Sequence, residues 1–206
     1  MKTTAINIFL LFLFSIHVSK GQTESRSDYR NFPIVLSIQF HSLSMPFKDF
    51  KSNFKNMGFG IGTEVSLNGS LDWVQQFDLI WIKNKGIGNS FLFSSQAAWR
   101  PMISNGIYTE IKFGLGYMLS RHPSPSWKQK DGKWAPSEKQ RKGMIALPVG
   151  IGLGYYKYSP NMFVSPFAGY QVMLLSKYNQ TLPVVPQTLI QGGFRLHPNY
   201  GSSKEN

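Results

Sequence analysis

Large apolar side chains alternate with small or polar ones over unusually long stretches of this chain. That pattern limits the possible folds more than any other feature of the sequence. From 107 to 119, Ile107, Ile111, Phe113, Leu115, Tyr117 and Leu119 alternate with Tyr108, Glu110, Lys112, Gly114, Gly116 and Met118. Successive side chains of a strand point to opposite faces, so such a segment has one apolar face and one small or polar face. Eight segments carry the pattern: 32–42, 57–68, 72–83, 90–100, 107–119, 143–156, 162–175 and 187–197. Strands in soluble sheets average about 5–6 residues, whereas a tilted strand crossing a bilayer needs about 9–11. These segments are of the second kind.

The composition of the two faces decides which one points outward. In 57–68, Met57, Phe59, Ile61, Val65 and Leu67 oppose Gly58, Gly60, Gly62, Glu64, Ser66 and Asn68. In 143–156, Ile145, Leu147, Val149, Ile151, Leu153 and Tyr155 oppose Ala146, Gly150, Gly152 and Gly154. A soluble barrel would turn its apolar face inward and set charged residues on the outside. Repeated glycines instead suit a narrow, crowded interior, which makes the apolar face the exterior. Connection lengths point the same way: short links at 69–70, 101–106 and 157–161 alternate with longer ones at 43–56, 84–89, 120–142 and 176–187. Aromatic residues such as Trp73, Trp81, Trp99, Tyr117 and Tyr155 fall near segment ends, as interfacial girdles do. The expected fold class is all-β, an eight-stranded antiparallel up-and-down transmembrane barrel. A soluble lipocalin-like barrel is the rival at this level. Pro148 and Pro166 fall inside two of the segments and call for bulges or shifted boundaries there.

The N-terminus indicates export. Lys2 precedes an apolar run from Ala5 to Val18, with Ser19 and Gly21 after it. We read residues 1–21 as a cleaved signal peptide, 22–31 as an N-terminal periplasmic segment, 32–198 as the barrel and 199–206 as a tail. An uncleaved anchor is the alternative for the first part. The chain has no cysteine, which excludes disulfides, thiol catalysis and cysteine-held metal. Its formal charge is +12, or +10 without Lys2 and Lys20. A basic chain invites a nucleic-acid reading, but export argues against one and favours other anions as partners.

On this topology and patterning the mature chain resembles the small eight-stranded outer-membrane barrels of diderm bacteria, the OmpA/OmpX-like superfamily. Members end in an assembly signal on the last strand, and "QTLIQGGFRL" at 187–196 is similar to it. The resemblance implies outer-membrane insertion. It also brings in the lipid A deacylases built on such barrels, which use a His-x-Ser pair and a downstream Glu. His122, Ser124 and Glu138 are the weak catalytic candidates on that analogy, although they fall in a proline-flanked polar stretch without the Asn that follows the serine in those enzymes.

Two further groups of residues stand out. Gln39, Glu64, Asp78, Arg100, Glu110, Lys112, Gln171 and Arg195 lie on small or polar faces and should form a paired polar network filling the lumen. A symmetric hairpin around 100–108 would place Ala98 opposite Glu110 and Gln96 opposite Lys112. Arg121, Lys128, Lys130, Lys133, Lys139, Arg141 and Lys142 make the longest connection strongly basic, with Trp127 and Trp134 interleaved. Lipopolysaccharide and outer-membrane lipid are its expected partners, with other outer-membrane proteins next; no cofactor or metal is expected. The functional reading is a structural or surface-binding component of the outer membrane. A lipid A-modifying enzyme or a small pore is the alternative.

Overall fold

The computed structural model describes residues 29–42, 54, 56–84, 88–121, 127–130, 132–136, 141–176 and 184–199. Among the described residues there are eleven strands: β1 (Ile34–Ser42), β2 (Met57–Ser66), β3 (Trp73–Ile82), β4 (Asn89–Trp99), β5 (Met102–Ser104), β6 (Ile107–Arg121), β7 (Trp127–Lys130), β8 (Lys133–Pro136), β9 (Arg141–Tyr155), β10 (Phe163–Ser176) and β11 (Val184–His197). Eight of them, β1, β2, β3, β4, β6, β9, β10 and β11, form one antiparallel ring. Each pairs with the next in the chain, and β1 closes on β11. This is the up-and-down barrel expected from the alternation. The short β5 folds back on β6 in the turn that follows β4, and β7 and β8 form a separate hairpin between β6 and β9.

The faces sort as the pattern requires. Phe113 and Leu115 on β6 and Ile151 and Leu153 on β9 are more than half exposed on the outside. Glu110 and Lys112 on β6 are buried in the lumen. Gln75, the residue that breaks the alternation of β3, lies on the outer side and donates to Ser95 Oγ at 2.8 Å.

The prolines cause less disruption than the sequence suggests. Pro148 lies in the lumen, and β6 and β9 keep one register past it. The pairs 114/148 and 115/147 simply drop out of their ladder, where a residue without an N–H cannot donate. Pro166 pairs with Phe194 on β11 but lies one residue before the β9 pairing begins at Phe167, so it is spared a ladder partner on that side. No bulge is needed at either.

One register does differ from expectation. Ala98 faces Lys112 and Gln96 faces Gly114, a shift of two residues from the symmetric hairpin. The cause is β5, which holds an irregular pairing (Met102 with Tyr108, Ser104 with Ile107) that lengthens one arm of the turn. Gly106 at φ +81° supplies the left-handed corner. The shift brings Arg100 level with Glu110.

The lumen is polar in only half its length. Toward the end that carries the longer connections it is packed by Ile80, Ile82, Leu92, Met118, Met144, Met173, Leu175 and Leu189, all fully or nearly fully buried. These residues follow the same alternation but face inward, where the ring is filled by side chains and not by water.

Adjacent glycines on β11 test the assignment of faces. A Cβ at Gly193 would run into the Leu36 carbonyl and come within 2.8 Å of Ser37 Cα, whereas one at Gly192 would meet only the Phe167 carbonyl oxygen, at 4.0 Å. Gly193→Ala should cost about 1–3 kcal/mol through overpacking, and Gly192→Ala should fall within about 0.5 kcal/mol of wild type. Urea unfolding in detergent micelles measures both, and equal effects would contradict this arrangement of faces.

Candidate functional site

The charged residues of the lumen converge near the end with the short turns. Glu64 comes from β2, Arg100 follows β4, Glu110 and Lys112 come from β6, and Arg195 from β11. Inward alternation on four separate strands is what brings them together. Arg100 donates to both Glu64 oxygens, from Nη1 at 2.8 Å and Nη2 at 2.6 Å, and from Nε to Glu110 Oε2 at 2.5 Å. Arg195 repeats the bridge, Nε to Glu64 Oε1 at 2.7 Å and Nη2 to Glu110 Oε2 at 2.8 Å. Two carboxylates and two guanidiniums thus alternate in a closed square. Lys112 Nζ stands 3.3 Å from the outer oxygen of Glu110.

Every member of the square is buried. Charges this deep persist only when paired and hydrogen-bonded, because each loses several kcal/mol of hydration. The planar fork of arginine suits the role, since it serves two carboxylates at once. The remaining Arg195 nitrogen donates to the Tyr108 hydroxyl at 2.7 Å, and the guanidinium lies 4.1 Å from the Phe167 ring centre.

A residue outside the strands completes the cluster. Tyr29 donates its hydroxyl to Glu64 Oε2 at 2.7 Å. Burial pushes this phenol well above its ordinary range and the Glu64 carboxylate adds to the shift, so Tyr29 stays a proton donor. The chain reaches the mouth through a tight turn at Phe32, whose φ of +59° is rare for a bulky residue. Phe32 N–H donates to the Glu64 carbonyl at 2.9 Å, and the Asn31 side chain accepts from Ser66 N–H at 2.7 Å. Arg30 fixes the next layer by donating to the carbonyls of Ser159, Pro160, Asn161 and Pro198. Tyr29 packs with Leu71, Val74, Ala98 and Tyr108, sealing the charges from below.

A belt of amides lies between the square and the apolar half of the lumen. Asp78 accepts from Gln76 at 2.9 Å and from Gln96 at 3.4 Å, and Gln171 donates to Gln96. Gln39 donates to Ser37 at 3.3 Å. Toward the far end, His41 pairs with Gln187 at 2.6 Å. His197 stacks on Phe163 at the near end, well away from His41.

Of the eight lumen residues read from the sequence, five meet directly: Glu64, Arg100, Glu110, Lys112 and Arg195. Asp78 and Gln171 join the amide belt, and Gln39 lies beside it. Tyr29 and Arg30 were not anticipated, because nothing local in the sequence says that a segment before the first strand folds back into the mouth. Arg121 ends β6, and Arg141 and Lys142 begin β9; Lys128 and Lys130 lie in β7 and Lys133 in β8. Lys139 and the catalytic candidates His122, Ser124 and Glu138 lie outside the described residues. Among the described residues no group of three His, Asp or Glu side chains could hold a metal ion.

The fold has solved counterparts. The chain is similar to the crystal structure of Neisserial surface protein A, with a TM-score of 0.56 and 18% identity over 81% of this chain and 96% of that one. It has the fold of the small eight-stranded outer-membrane barrels. Looser likenesses are to the attachment invasion locus protein of Yersinia pestis (TM-score 0.43, 17% identity, 80% and 96% covered) and the N-terminal barrel domain of Pseudomonas aeruginosa OprF (0.41, 15%, 79% and 96%). No protein-family model and no curated protein matches the sequence.

The barrel's charge square yields a graded test. Glu64→Leu leaves two buried guanidiniums short of a counter-charge and should cost about 3–5 kcal/mol. Tyr29→Phe removes one hydrogen bond to a charged group and should cost about 1.5–3 kcal/mol. Unfolding in detergent micelles gives both values. A Tyr29→Phe loss as large as that of Glu64→Leu would mean that the Tyr29 contact, and not the ion pairs, holds the lumen together.

Proposed function

We propose that this protein is an integral outer-membrane barrel that works as a non-conducting, non-enzymatic surface component. In this reading it is exported by the signal peptide at 1–21 and contacts outer-membrane lipid and lipopolysaccharide, with other outer-membrane proteins as further partners. The observation that carries the reading is the contrast between the two sides of the barrel wall. The outside presents Phe59, Ile61, Phe93, Phe113, Leu115, Val149 and Ile151, each about half exposed, which in water would be a severe liability. A bilayer turns the same surface into a match with its solvent.

The interior supports a structural role over a conducting one. An ion crossing the lumen would have to part the Glu64–Arg100–Glu110–Arg195 square and then pass the apolar packing of Leu92, Met118, Met173 and Leu189. Both steps remove contacts that have no replacement within so narrow a ring. Chemistry on lipid A is a question for His122, Ser124 and Glu138.

Three measurements test the proposal. The protein should sediment with outer membranes and show heat-modifiable gel mobility; recovery from the soluble periplasm would refute it. Planar bilayers containing the refolded protein should stay electrically silent, and steady single-channel steps would establish the pore instead. The lipid A mass spectrum should be the same with wild type and with Ser124→Ala. Loss of an acyl chain that depends on Ser124 would make the protein an enzyme.

A further inference from the structure

The end of the barrel with the short turns is hollowed on one side. The turn after β2, the turn after β4 and the chain leaving β9 stand around a cavity of about 580 Å³, within the usual range of small-ligand pockets. Its apolar lining is Tyr29, Leu71, Met102, Tyr155, Tyr156 and Tyr158. Tyr29 and Leu71 are buried and belong to the packing that seals the charge square, so the floor of the cavity is that seal.

The walls are held in place. Tyr156 N–H donates to the Gly106 carbonyl at 2.7 Å, tying the chain after β9 to the turn before β6. A Cβ at Gly106 would come within 2.7 Å of the Tyr155 ring, so its absence lets that ring lie against the turn. The rings of Tyr29 and Tyr156 stack with centroids 5.9 Å apart, and the Arg30 guanidinium lies 5.8 Å from the centre of the Tyr158 ring. Tyr155 and Tyr158 remain exposed at the opening. Ser70, Asp72, Asn105 and Lys157 supply the polar side chains of the lining. Asp72 is fixed through its backbone: its carbonyl accepts from Arg100 N–H at 2.8 Å, and its N–H donates to Ser70 Oγ at 3.2 Å.

This lining discriminates between classes of ligand. Asp72 and Lys157 are its charged residues and cancel, so neither a phosphate nor a cation meets a surplus of opposite charge. Four tyrosines suit no wholly polar ligand, and a wholly apolar one would strip water from the polar side chains without replacing it. A neutral ligand with one apolar face and a polar edge satisfies both conditions. A pyranose ring has that shape: its C–H bonds, polarised by the attached oxygens, pack on electron-rich aromatic faces, and its hydroxyls donate to carboxylates and amides.

We propose that this cavity binds a sugar ring of a glycan chain at the periplasmic face, with tyrosine rings beneath the sugar and Asp72 and Asn105 at its hydroxyls. The inference rests on the outer-membrane reading for the side it faces and goes beyond it in assigning a ligand. The exposed opening at Tyr155 and Tyr158 lets the rest of the chain run on into solvent.

The test uses the mature chain folded in micelles of a detergent without a sugar headgroup, with heat-shifted gel mobility as the check of folding. Chitotriose and its monomer, N-acetylglucosamine, are titrated into separate samples, and binding is read from the NMR signals of isotope-labelled tyrosine rings. Chitotriose should shift the Tyr155 and Tyr158 signals to saturation and bind several-fold more tightly than the monomer. Asp72→Asn replaces a charged acceptor by a neutral one and should weaken binding about tenfold. Tyr158→Ala removes a ring at the opening and should weaken it several-fold; it carries the test alone if Asp72→Asn loses the heat shift. Unmoved tyrosine signals with both sugars, or undiminished affinity in the variants that fold, overturn the site. A monomer that binds as tightly as the trimer overturns the glycan chain in favour of a free sugar. Trialanine binding more tightly than chitotriose overturns the sugar in favour of a peptide. A wild-type chain without a heat shift refutes the membrane reading itself, whereas a folded chain that ignores sugars refutes the cavity assignment alone.

Discussion

Closure of the sheet between β1 and β11 is the constraint from which the rest follows. In an apolar solvent an unpaired backbone N–H or carbonyl costs several kcal/mol, so a spanning sheet cannot keep an edge. Eight strands close with a lumen that side chains alone can fill. Any residue that alternation points inward must therefore find its partners among the other inward residues. Glycine is frequent there for the same reason: at Gly62, for example, a Cβ would run into Asp78 and the Phe77 carbonyl.

Given closure, the charge square solves a placement problem. Three strands and the residue just after a fourth each contribute a charge at nearly one level, and two arginines bridge two glutamates so that every guanidinium faces a carboxylate. Tyr29 adds a neutral donor from outside the strands and closes the mouth above the Ser159–Asn161 turn that Arg30 grips. In the lumen Arg100, Lys112 and Arg195 are equalled in number by Glu64, Asp78 and Glu110. The outer wall, in contrast, is apolar.

Much of this was legible in the alternation. The eight segments, their faces and the even strand count follow from period two and length, because a strand buried on one side and packed on the other leaves little freedom in either property. Glu64, Arg100, Glu110, Lys112 and Arg195 could be picked out as lumen residues one by one. Their mutual geometry could not. The β4–β6 register depends on how β5 folds within the turn, and a two-residue offset keeps every side chain on its face while changing each partner. The apolar half of the lumen was hidden for a related reason: Leu92, Met118 and Leu189 are hydrophobic residues on the face that alternation labels small or polar, and only the closed ring shows that this face too is dry. Pro148 looked disruptive because sequence cannot say that a ladder will omit two pairs and keep its register.

The sequence by itself determined the class of solvent this protein is built for, since long apolar–small alternation with glycine on one face suits only a closed sheet surrounded by lipid. It also determined which charges must be inside. The tertiary structure decided which of those charges touch, that Tyr29 enters the mouth, and that Arg121 falls opposite Arg141 in the β6–β9 register. The physical reason is that facing is a local property of a strand with period two, whereas pairing depends on registers and turns, and those are settled only when the ring closes.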